Sequence, residues 1–208
     1  MKKVLFIALL LSFNVFSQDT IFFKKVDDFK RNYFEVGIQN PQKELADKFN
    51  KSYNIGVWFR NKVAKNQFID VGLEFNFLNK PSEINYTHID SIVHLESNKI
   101  GLKAGLRYSK VVPVSKNLSI FSVESNSGLG WTALYYTIPE YYDGTNLRDE
   151  LEKKKNLHTL FLSQTVKFYV YDFGIFCTYY YAPYAIFKKN VEANFGSQSI
   201  CFGMVYRL

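Results

Sequence analysis

The chain has 208 residues, a formal net charge of +7 and an aromatic share of 18%, with 15 Tyr and 20 Phe. That length suits one all-β domain and leaves little for a second. Past the N-terminus no apolar run approaches the roughly 20 residues of a spanning helix, which excludes an α-helical membrane protein.

Lys2 and Lys3 open the chain, and Val4 to Phe16 form a largely apolar run that ends at Val15-Phe16-Ser17. A charged start, a short apolar stretch and a small residue make the pattern of a secretory signal. Gln18 and Asp19 stop the run too early for a membrane anchor. Cleavage is expected after Ser17, so residues 1–17 are signal and the mature chain begins at Gln18. Losing Lys2 and Lys3 lowers the charge from +7 to about +5. No cysteine lies near the cut, which argues against a lipid-modified N-terminus. Residues 18–32 read as a periplasmic segment, with Lys24, Lys25, Lys30 and Arg31 interleaved with Asp27 and Asp28. Export and the lack of any motif exclude nucleic-acid binding.

From residue 33 to 208 the chain alternates. A strand points successive side chains to opposite faces, so a period of 2 marks a two-faced β-segment. Strands are expected near Tyr33–Gln39, Ser52–Arg60, Phe68–Leu78, Asn98–Tyr108, Leu118–Leu134, His158–Tyr171, Asp172–Ala182 and Ser197–Leu208. In the second, Tyr53, Ile55, Val57 and Phe59 share a face, with Asn54, Trp58 and Arg60 opposite. In the third, Ile69, Val71, Leu73, Phe75 and Phe77 oppose Asp70, Gly72, Glu74 and Asn76. The fourth is the clearest: Ile100, Leu102, Ala104, Leu106 and Tyr108 against Lys99, Gly101, Lys103, Gly105 and Arg107. The fifth sets Phe121, Val123, Leu129, Trp131 and Ala133 outward, with Ser125 and Ser127 as polar interruptions. The sixth sets Leu160, Leu162, Val166, Phe168 and Val170 outward and Lys167 inward. Cys177 and Cys201 fall on opposite faces of neighbouring strands, which disfavours a disulfide.

Eight such strands behind a secretion signal predict an all-β fold, an eight-stranded antiparallel up-and-down barrel that crosses an outer membrane. The apolar faces meet lipid and the polar faces line the lumen. Turning the fourth strand over would place three cations against lipid, at about 2–4 kcal/mol each near the midplane. The loops supply a separate argument. Connections around Pro41, Pro81, Pro139 and Pro183 are long, and those at Asn61–Gln67, Ser109–Asn117 and Tyr171-Asp172 are short. Long external loops alternating with short periplasmic turns are the pattern of such barrels. All five prolines are expected between strands, where a missing N–H is harmless.

The last strand alternates Ile200, Phe202, Met204, Tyr206 and Leu208 with Cys201, Gly203, Val205 and Arg207. Gly203-Met204-Val205-Tyr206-Arg207-Leu208 resembles the C-terminal assembly signal of outer-membrane barrels, with Gly203, Tyr206 and Leu208 at its key positions. That family usually ends in Phe or Trp, so Leu208 departs from the pattern. With its eight strands the chain resembles the small outer-membrane barrels of the OmpA-barrel, OmpX and PorT-like type, and the short signal, Gln18 start and Tyr-rich strands are similar to Bacteroidetes members. The resemblance implies barrel-assembly machinery, outer-membrane lipids and lipopolysaccharide as partners, and a monomer. No peptidoglycan-binding domain of the kind in full-length OmpA follows.

An eight-stranded barrel has room inside for side chains or one small ligand. The registers send Glu35, Asp70, Glu74 and Glu124 inward with Arg60, Lys99, Lys103, Arg107, Lys167 and Arg207, and buried charges must be paired or wetted. The expected lumen is therefore a plug of ion pairs, and the expected role is structural or interactive, through loops that meet lipopolysaccharide or other partners. Two alternatives stay open, a narrow porin-like pore for small solutes and a lipid-modifying enzyme. For the enzyme, Ser125-Asn126-Ser127-Gly128 faintly resembles the Ser-Asn-Ala-Gly run of lipid A deacylases, without its histidine. His88 and His94 belong to the second external loop and His158 opens the sixth strand. Lys153-Lys154-Lys155 reads as a solvated loop tip or a lipopolysaccharide contact. No phosphate loop or metal-ligand cluster appears, so no cofactor, metal or catalytic residue is assigned.

Overall fold

The structure, a computed structural model, describes residues 32–79, 83–88, 91–114, 121–137, 156–184 and 196–208. The expected signal, the basic run before residue 32 and the Lys153-Lys154-Lys155 cluster lie outside them. In chain order the elements are β1 (Asn32–Gln42), a short helix α1 (Glu44–Lys48), β2 (Ser52–Ala64), β3 (Gln67–Leu78), β4 (Glu83–His88) and β5 (Ser91–Pro113). They are followed by β6 (Phe121–Thr137), β7 (Asn156–Val170), β8 (Phe173–Tyr181) and β9 (Gln198–Arg207).

Every neighbouring pair is antiparallel. β1 pairs with β2 on one side and β9 on the other, and β3 pairs with β5, so the sheet closes on itself. The result is a closed eight-stranded antiparallel barrel of β1, β2, β3 and β5 to β9. β4 pairs only with the far end of β5, in the register Glu83↔Glu96 to His88↔Ser91. It prolongs β3 into a hairpin that continues past the barrel. Short connections gather at one end, the turn end, and long ones at the other, the loop end. At the turn end Asn66 and Tyr171 take left-handed φ values of 58° and 56°, closing their hairpins tightly.

The strand limits differ from expectation in places. β5 begins at Ser91, not Asn98, and β4 and α1 stand where long connections were expected. Pro41 closes β1 opposite Ser199, and Pro113 closes β5 opposite Ser122, so both belong to strand ends. A ladder tolerates proline at such positions, where its neighbours no longer need the N–H.

The two faces of the wall divide cleanly. Between the aromatics that flank each end, no described barrel residue with a charged side chain points outward. Near the turn end the exposed rings are Phe59, Tyr108, Phe121, Phe168, Phe173 and Tyr206; near the loop end they are Tyr53, Phe75, Phe77 and Tyr135. Aliphatic side chains such as Val71, Leu73, Leu106, Leu129, Leu162 and Ile175 fill the band between them. Cys177 lies on this outer face and Cys201 is buried inside, and both are free thiols.

Glycine makes room for the rings within. Gly72, Gly105 and Gly130 are consecutive cross-strand partners, bounded by Trp58 on β2 and Phe161 on β7. A Cβ on Gly105 would come within 3.0 Å of the Phe161 ring, and one on Gly130 within 2.8 Å. Gly37 and Gly203 serve Phe176 in the same way, at 3.0 and 2.8 Å. Each ring thus packs against bare backbone in a lumen too narrow for side chains on every strand. Gly130→Ala is expected to destabilise the folded barrel by about 1–3 kcal/mol through overpacking. The urea midpoint of the refolded protein reads this effect, and an unchanged midpoint would mean that the Ala104–Gly105 backbone and the Phe161 ring leave room for a methyl.

Candidate functional site

The registers of the inner face place opposite charges opposite one another. Arg60 pairs with Asp70 across β2 and β3, Glu74 with Lys103 across β3 and β5, and Glu124 with Lys167 across β6 and β7. Such pairs favour this alignment over neighbouring ones, because a one-residue slip turns every side chain to the other face.

The side chains extend these pairs into one chain of contacts through the lumen. At the turn end Arg60 grips Asp70 with two hydrogen bonds of 2.8 Å and also donates to Glu124 at 2.8 and 2.6 Å. Arg207 reaches the same Glu124 at 3.4 Å. Lys167 lies between Glu124 at 3.5 Å and Glu35 at 2.8 Å. Arg107 donates to both Glu35 oxygens, at 3.0 and 2.9 Å, and to Glu74 at 2.5 Å. Lys103 completes the series toward the loop end, with Glu74 at 3.4 Å and the Gln39 amide oxygen at 2.6 Å. All nine of these ionic side chains are buried.

Neutral groups add further hydrogen bonds to these carboxylates. The Tyr33 hydroxyl donates to Asp70 at 2.9 Å, and Ser109 donates to the same carboxylate. Asn126 donates to Ser109 and to Glu124, the latter at 2.8 Å. The Tyr180 hydroxyl lies 2.8 and 2.9 Å from the Glu74 oxygens, and Asn54 adds a bond at 3.2 Å. Each cation also faces an aromatic ring. Arg107 stacks 3.6 Å from the Trp58 centroid, Lys167 lies 3.7 Å from Tyr33, Lys103 3.9 Å from Tyr180 and Arg207 3.4 Å from Tyr169. Desolvated cation–π contacts of this kind are worth about 2 kcal/mol.

Of the residues read as lumen charges, Glu35, Arg60, Asp70, Glu74, Lys103, Arg107, Glu124, Lys167 and Arg207 are brought together. Lys99 is not. Lys99 lies at the loop end, within the β5–β6 register shift between Ser97 and Gly101, and is exposed. The rings of Tyr33, Tyr169 and Tyr180 and the amide of Gln39 went unassigned, although Tyr33 and Gln39 share strand parity with Glu35 and Tyr169 shares it with Lys167.

A second, apolar layer lies over the loop end of the lumen. Leu45 of α1, Phe49 and Tyr184 pack with Ile84, Tyr86, Val93 and Leu95 of the β4–β5 hairpin, and with Leu78, Leu134, Tyr136 and Leu157 at the barrel rim. Burial pushes the Tyr184 phenol up to about 12, against the opposing effect of its hydrogen bond with Thr132. The charged lumen is thereby capped by a hydrophobic core, built by the hairpin and helix together.

The other sequence candidates are scattered. Gly203 is packed between Gly37 and Phe176, Tyr206 lies outside against Phe173 at 4.7 Å, and Leu208 donates its N–H to the Asn32 carbonyl. His94 Nδ1 contacts Asn85 on the exposed side of the hairpin at 2.8 Å. His158 pairs with Ala133, whereas Ser127 pairs with Gln164. Six residues of strand, about 20 Å at 3.3–3.4 Å each, separate this serine from that histidine. The chain matches no family model and no curated protein. By fold and site the molecule is a closed eight-stranded barrel with an ion-paired interior.

Proposed function

We propose that the protein is an outer-membrane barrel whose lumen is closed, and that it acts through the surfaces it presents rather than by conducting solutes. The observation that carries this reading is the inversion of polarity: an uncharged, aromatic-bordered outer wall around a core of buried ion pairs. Bilayer-spanning barrels need that arrangement, with an apolar band between two aromatic girdles. A water-soluble carrier needs the opposite one. The alternation of long and short connections supports the same orientation, with loops outside and both chain ends in the periplasm.

In this reading the ion-pair chain and the apolar cap fill the bore, and the α1 and β4–β5 surfaces meet lipopolysaccharide or other cell-surface molecules. The terminal strand around Gly203, Tyr206 and Leu208 serves recognition by the assembly machinery. The separation of Ser127 from His158 supports a non-catalytic role. Planar-bilayer recording of the refolded protein tests the closed lumen: the expected trace stays at the lipid baseline. Steady single-channel steps would instead favour a narrow pore.

A further inference from the structure

Among the described residues the outer wall carries a hydrogen-bonded polar cluster on β6 and β7. Ser125, Ser127 and Gln164 all point outward from β6 and β7. Ser127 Oγ donates to Gln164 Oε1 at 2.8 Å, and Gln164 Nε2 donates to Ser125 Oγ at 3.1 Å. A carboxamide has two N–H donors and a serine one O–H. The cluster therefore retains one N–H of Gln164 and the O–H of Ser125 with no partner among the described residues. Gln164 sits near the middle of β7, flanked in register by Ser127 and Tyr179. Around it the wall is greasy and exposed at Leu106, Leu129, Leu162 and Phe168.

This inference rests on the outer-membrane reading. At mid-wall depth there is neither water nor lipid headgroup, so only another embedded protein surface can accept those donors. A carboxamide is both donor and acceptor, and two copies facing across a two-fold axis satisfy each other. An isologous contact requires that self-complementarity. We propose that the β6–β7 face is a homodimer interface within the membrane, centred on Gln164 paired with Gln164 of a second copy and sealed by the surrounding leucines. This departs from the monomer expected from the sequence.

The test is sedimentation equilibrium of the refolded full mature chain in density-matched detergent micelles, with heat-modifiable gel mobility confirming that each variant is folded. The wild type is expected to show a monomer–dimer equilibrium, and Gln164→Leu to weaken it by about tenfold, as loss of interhelical-type polar contacts in lipid suggests. Ser125→Ala with Ser127→Ala is expected to weaken it less. A micelle-embedded wild type that stays monomeric at every protein-to-detergent ratio would overturn the dimer, as would undiminished association of Gln164→Leu. A chain soluble and folded without detergent would remove the membrane reading itself, and the dimer with it.

Discussion

Arg107→Ala is expected to destabilise the folded barrel by about 3–5 kcal/mol, the usual cost of removing one partner from a buried ionic contact. Arg107 joins Glu35 to Glu74 and covers the Trp58 ring, so its loss strips two buried carboxylates of a bidentate or short partner. Lys167 and Lys103 remain beside them, and they limit the damage without restoring it. Urea unfolding of the vesicle-inserted protein measures the change. Lys99→Ala supplies the contrast, because Lys99 is exposed and outside the network; its effect is expected within about 0.5 kcal/mol of zero. Pairing Arg107→Met with Glu35→Gln should cost less than the sum of the two single changes, since neutralising both sides removes the uncompensated charge.

The outer wall gives the second large effect. Leu106→Arg places a cation in the exposed apolar band, next in sequence to Arg107 but on the opposite face. In a bilayer it is expected to cost about 2–4 kcal/mol if it lies near the midplane. The variant should insert poorly into vesicles and show a reduced folded fraction on unheated gels. Val63→Arg, on the exposed β2 extension at the turn end, is expected to insert like wild type. If water bathes the wall, Leu106→Arg would be as harmless as Val63→Arg. The pair of substitutions therefore separates the two environments, whatever the absolute stability.

Most of the wall was legible because it obeys one period. Lys103 and Arg107 share a face with two glycines, and their outward neighbours are Leu102, Ala104, Leu106 and Tyr108; no other period accounts for that spacing. Trp58 was correctly read as inward from Asn54 and Arg60, and the two cysteines as lying on opposite faces. What escaped had three physical sources. The β4–β5 hairpin alternates too, at Ile84 and Tyr86 and at Val93 and Leu95, but it buries those residues against α1 and the rim rather than in the wall. Tertiary packing, invisible in the local pattern, decides that. Lys99 keeps the inward parity of Lys103, yet it lies at the register shift near the loop end and is exposed. Partner choice was equally hidden: Arg107 is opposite Asp70 in register, but its guanidinium crosses to Glu35 and Glu74 while Arg60 occupies Asp70. Long side chains in a narrow bore reach partners across the lumen as well as along the ladder.

The two tryptophans stand on opposite sides of the wall, Trp58 inside beneath Arg107 and Trp131 outside beside His158. Refolding Trp131→Phe and Trp58→Phe variants of the mature chain into vesicles with brominated acyl chains therefore interrogates each face with a single fluorophore. Strong quenching of Trp131 with Trp58 left bright is the expected result. Quenching of Trp58 by those chains, or a Trp131 that aqueous iodide reaches and bromine does not, would contradict a lipid-clad wall around an ionic core.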